Sequence, residues 1–172
     1  LQMTSPENKR KELEHILNKE NFVRISATIK MLRDESPFGG AIGLLVAHYD
    51  KSDNSSIKRL IREFLNDLKY QASCSEIIDE IRKDIKPDTL RMLVSSCWQS
   101  GLDYADYSSD FAGLFLTGDY MTAIECFTVI ESSVYKMTRA KKNEIIKMIR
   151  EGSPAVISDK TALALELISV LE

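Results

Sequence analysis

The stretch Leu90-Arg91-Met92-Leu93-Val94-Ser95-Ser96-Cys97 decides the fold, because its spacing returns 33 positions later as Ala123-Ile124-Glu125-Cys126-Phe127-Thr128-Val129-Ile130. In each copy the apolar residues fall at the first, fourth, fifth and eighth places. That is the stripe of one helix face. A third match, Ala41, Leu44, Leu45 and His48, shares the spacing. A period of this length predicts a helical repeat, in which each unit buries its apolar face on its neighbours.

Working outward, nearly every segment reads with helical period. Ser5-Pro6-Glu7 starts a helix with a capping serine, a proline at the first helical position and an acid. Leu13, Ile16 and Leu17 form its stripe. A helix from Asn21 to Glu35 offers Val23, Ile25, Ile29 and Leu32 for burial, and Ser36-Pro37-Phe38-Gly39-Gly40 breaks it. Further helices are expected over Ala41–Tyr49, Ile57–Tyr70, Ser75–Ile85, Pro87 to Trp98, Tyr104–Leu116, Asp119 to Ser133, Arg139–Glu151 and Lys160–Leu171. Gly101, Gly118 and Gly152-Ser153-Pro154 punctuate them. No alternating strand pattern occurs, and the loops are short, so successive helices should be antiparallel neighbours. The expected architecture is all-α: a short irregular α-α superhelix of about nine or ten helices in one domain over residues 1–172. It would hold a pair in 1–35, repeat-like pairs in 40–70, 89–118 and 119–152, and a terminal helix in 160–172.

Thr89–Gly118 and Asp119–Gly152, and more loosely Gly40–Tyr70, resemble HEAT/armadillo-like α-solenoids, and more narrowly uncharacterised bacterial proteins with degenerate HEAT-like repeats. The resemblance implies recognition of a macromolecule through a concave face, and it supplies no catalytic residues.

Composition narrows the function. The chain has 172 residues, 44% of them hydrophobic and 28% charged, with a net charge of −3. These values suit a soluble globular protein and give no general attraction to nucleic acid or membrane. No apolar run approaches the ~20 residues of a spanning helix, and the polar start to Glu20 does not read as a signal peptide. Cys74, Cys97 and Cys126 are odd in number and widely spaced, which predicts free thiols and a cytoplasmic setting. With only His15 and His48 besides, no zinc spacing exists, and no cofactor is expected. Gly39-Gly40-Ala41-Ile42-Gly43 is not a phosphate loop, since no strand precedes it and no Lys-Ser/Thr follows.

The candidate surface lies where aromatics and charge cluster. Eight of thirteen aromatics fall between Trp98 and Tyr135. From Asp88 to Tyr135 there are seven acids and one base, Arg91. Asp103, Asp106 and Asp110 share one stripe of the expected Tyr104–Leu116 helix, with Tyr104, Tyr107, Phe111 and Phe115 on the adjacent stripe. Phe111, Phe115 and Phe127 read as core. Trp98, Tyr104 and Tyr107 are candidate contacts for a basic partner. The next segment reverses sign, with Lys136, Arg139, Lys141, Lys142, Lys147 and Arg150 against Glu144 alone. It can face phosphates or pair with the acidic helix beside it. The three aspartates lack the glycine turn of a calcium loop. His48 sits in an apolar helix and Cys97 and Cys126 on apolar stripes, which suits core packing more than catalysis.

The expectation is therefore a non-enzymatic scaffold that binds a protein or peptide. Its contact residues would be Trp98, Asp103, Tyr104, Asp106, Tyr107, Asp110, Lys141, Lys142 and Lys147. A nucleic-acid-binding helical repeat, or an enzyme on a HEAT-like scaffold, is the alternative.

Overall fold

In the computed structural model, residues 5–153 and 158–172 are described. Pro154, expected to break the chain after Gly152, lies outside them. The described residues form ten α-helices and no strand. They are α1 (Pro6–Lys19), α2 (Phe22–Leu32), α3 (Ala41–Lys51), α4 (Ser55–Asn66), α5 (Ser73–Ile81), α6 (Pro87–Gln99), α7 (Ser108–Thr117), α8 (Tyr120–Ser133), α9 (Arg139–Gly152) and α10 (Asp159–Leu171). The fold is all-α, as the periodicity predicts.

The chain divides into two compact units, one ending at Leu102 and the other beginning at Asp103. The boundary falls inside the expected pair 89–118, so α6 belongs to the first unit and α7 to the second. In the first unit α1 packs on α2 and α3, α2 on α4, α3 on α4, α5 and α6, and α6 also on α4 and α5. In the second, α7 packs on α8 and α9, and α10 closes over the same two helices.

The repeated stripes are core within their own units. Leu93, Val94 and Cys97 are buried in the first, and Ala123, Cys126 and Ile130 in the second. Phe111 and Phe115 are buried, and Phe127 is half-buried. Local chemistry sets the helix starts. Ser5, Asn21, Asn54, Asp119 and Thr138 each accept a backbone N–H from the first turn that follows.

Two caps come from distant carboxylates. Asp50, at the end of α3, accepts the Lys86 N–H at 3.0 Å and the Thr89 hydroxyl, capping α6. Glu76, on α5, accepts the Gly40 N–H ahead of α3. Gly40 itself has φ +91° and meets the Arg10 side chain, so a side chain there is doubly disfavoured.

Two expectations need correction. The expected Tyr104–Leu116 helix is a 3₁₀ turn, Ala105–Tyr107, followed by α7. Asp103 therefore stands before the helix, where its carboxylate accepts the Ala105 N–H at 2.9 Å. Val23, expected to be buried, is 73% exposed. The inward face of α2 is built by Ile25, Ser26 and Ile29 instead.

Candidate functional site

The acidic-aromatic residues of the second unit gather around the start of α7. Tyr104, expected at the surface, is only 2% exposed. Its ring packs edge-on against Phe111 at 6.0 Å and tilted against Tyr107 at 6.3 Å. Tyr104 thus joins Phe111 and Phe115, the core residues whose stripe it shares by spacing, even though the 3₁₀ turn interrupts the helix between them. This removes it as a contact residue. Tyr107 is half-buried and Asp106 is exposed. Asp110, half-buried, lies in the first turn of α7, where a carboxylate faces the positive end of the helix dipole.

The basic segment faces this acidic one inside the same unit. Lys136 reaches Asp103 at 3.4 Å. Lys141 Nζ donates to Ser109 Oγ at 2.8 Å and lies 3.3 Å from Glu144. Ser109 Oγ in turn donates to Glu144 at 3.1 Å. A Ser–Lys contact is within general-base reach. Here the third member is a carboxylate from the same turn of α9 as the lysine, so the trio ties α7 to α9. Lys147 pairs loosely with Glu151 at 3.9 Å, and Lys142 is half-buried.

The remaining cations of the segment hold α10. Arg139 donates to the Leu171 and Glu172 carbonyls at 2.9 and 3.0 Å. A guanidinium at a helix C-terminus satisfies carbonyls that have no intrahelical partner. Arg150 pairs with the Glu172 side chain at 3.1 Å. At the other end of α10, Lys160 donates to the Leu116 and Gly118 carbonyls at 2.9 and 2.6 Å, closing the end of α7.

Trp98 lies in the last turn of α6, in the first unit, and is exposed. Sequence reasoning did not select Tyr135, which is the most exposed large apolar side chain among the described residues, at 95%. It stands in the 3₁₀ turn Val134–Lys136, next to the lysine that reaches Asp103. A signal was present: Tyr135 follows the Ala123, Cys126, Ile130 stripe but falls in a Ser-Ser-Val-Tyr-Lys connection with no apolar slot to fill.

The groups considered for catalysis are dispersed. Burial and then Lys51 push the His48 imidazole below its ordinary value, and its Nδ1 is buried with no hydrogen-bond partner. All three cysteines are buried thiols outside any disulfide. Burial pushes the Cys126 thiol up to about 12, well away from the thiolate that reacts. Among the described residues, no three His, Cys, Asp or Glu side chains are grouped to hold a metal ion. No helix there is long and apolar enough to cross a membrane.

Compared with known proteins, the chain matches no family model, no curated sequence and no solved structure.

Proposed function

We propose that this chain is a non-enzymatic, HEAT/armadillo-like helical-repeat protein that binds a protein or peptide through the second unit. The contact face comprises Tyr135, Asp106, Tyr107 and the Asp103–Lys136 bridge. The observation that carries the reading is Tyr135. A tyrosine almost wholly in solvent contributes nothing to the core. Tyrosine is also a residue type enriched among interface anchors, because it buries much area for little lost freedom. Its neighbour in sequence, Lys136, bridges to Asp103, which stands just ahead of the turn that carries the exposed Asp106.

The basic segment supports a protein partner over a nucleic acid. Backbone neutralisation needs cations that face outward. Lys136, Arg139, Lys141 and Arg150 instead reach acceptors within the unit.

The test is capture of partners on the tagged full chain, run in parallel with Tyr135→Ala and Asp106→Lys. A partner retained by the parent and lost from both variants supports the reading. Identical capture by all three forms contradicts it, as does binding of nucleic acid that weakens steeply with salt.

A further inference from the structure

The outward side of α2 carries Val23, Ala27 and Met31 four residues apart, a single stripe along the helix. Val23 and Met31 are 73% and 67% exposed. Beside the stripe runs an open groove of about 410 Å³ between α1 and α2, with Leu13 and Ile16 among its walls. Arg24 and Glu35 line that groove near opposite ends of α2, with Ala27, Thr28 and Met31 between them. Lys30 lies on the other flank, with Arg33, Asp34, Asp67 and Lys69.

We propose that this face docks α2 of a second copy of the chain, antiparallel about a two-fold axis. An isologous contact must be self-complementary, and this one is. Reversing the helix direction brings Arg24 of each copy to Glu35 of the other. The same operation sets each Met31 over the other copy's Ala27 and Thr28, small residues that leave room for a flexible thioether. Lys30 stays outside, and the groove's other charged residues, Lys9 and Glu12, are one of each sign, so its charges balance. Eleven helical residues span about 16 Å, which places the contact at the small end of specific interfaces. The dimer is therefore weak and reversible. The inference is independent of the partner face of the second unit.

Sedimentation velocity of the full chain over rising concentration tests it. The expected result is a reversible monomer–dimer shift. Met31→Glu and Val23→Glu should each abolish it with the helical circular dichroism unchanged, since both side chains are already in water. Arg24→Glu or Glu35→Arg alone should weaken association about tenfold or more, each change being felt twice by symmetry. Combining the two should restore it. A parent that stays monomeric at every concentration overturns the proposal. So does a dimer indifferent to both glutamate variants, or a charge swap that fails to restore association.

Discussion

In the second unit the long cations reach between elements: Lys136 to Asp103, Lys141 to Ser109, Arg139 and Arg150 to the end of α10, and Lys160 to the end of α7. In the first unit the side chains that cap helices across elements are carboxylates, Asp50 on α6 and Glu76 ahead of α3. Arg139 and Lys160 on one side, and the two carboxylates on the other, serve the unsatisfied groups that every helix terminus leaves, at carbonyl ends and at amide ends respectively, while Lys136, Lys141 and Arg150 reach side chains. The contrast teaches that a charge run in sequence says little about a binding surface until the helix ends around it have been satisfied. It also locates the surfaces left over: the Tyr135 face in the second unit and the α2 stripe in the first.

The comparison can be broken by removing one tether at a time. Lys160→Ala should have the largest effect, about 2 kcal/mol by urea unfolding, because it leaves the Leu116 and Gly118 carbonyls without a charged donor. Gly40→Ala follows at about 1.5 kcal/mol, since a positive φ is strained for any residue with a Cβ and the new methyl meets Arg10.

Asp50→Ala should cost about 1 kcal/mol at neutral pH. Hydrogen bonds from Thr89, then Lys86, hold the Asp50 carboxyl below its ordinary value of 3.8, despite an opposing desolvation effect. Its contribution is thus present above that value in the unfolded chain and is lost as pH falls through the lower folded value. The cost of the substitution should shrink under acid.

Glu76 has the opposite sign. Burial raises its pKa above 4.5, despite the Gly40 N–H, with Asp79 and Glu80 adding to the rise. Its contribution is full below the unfolded value and is lost as pH rises through the folded one. Glu76→Gln should therefore be more stable than the parent at pH 7, with the difference closing under acid. The smallest effect belongs to Arg150→Ala, about 0.5 kcal/mol, because both partners of that bridge are largely exposed.

Helix content and core were legible in the sequence because burial imposes period. Leu93 with Cys97, and Cys126 with Ile130, fall inside as spaced. The charge reversal was legible too, and Lys136 bridges it to Asp103. What periodicity could not supply was the break before α7. Asp103 accepting the Ala105 N–H is a local turn that competes with helix. The burial of Tyr104 was in the spacing, since it shares a stripe with Phe111 and Phe115, and the surface expectation for it overrode that signal. Nor could it separate the two faces of α2, where Val23 and Ile25 are equally apolar and neighbours in three dimensions decide which is covered. The division at Leu102 follows Gly101, a helix stop that the sequence shows but that nothing sets apart from the stop at Gly118. It cuts a repeat-like pair whose stripes look continuous.

The most direct test of the proposed partner face is site-specific photo-crosslinking in cells, with the crosslinker at position 135 and, as control, at Leu165 of α10, also exposed. The account predicts a discrete protein adduct from position 135 that is absent from position 165. No adduct at 135, or the same adducts from both positions, would contradict it.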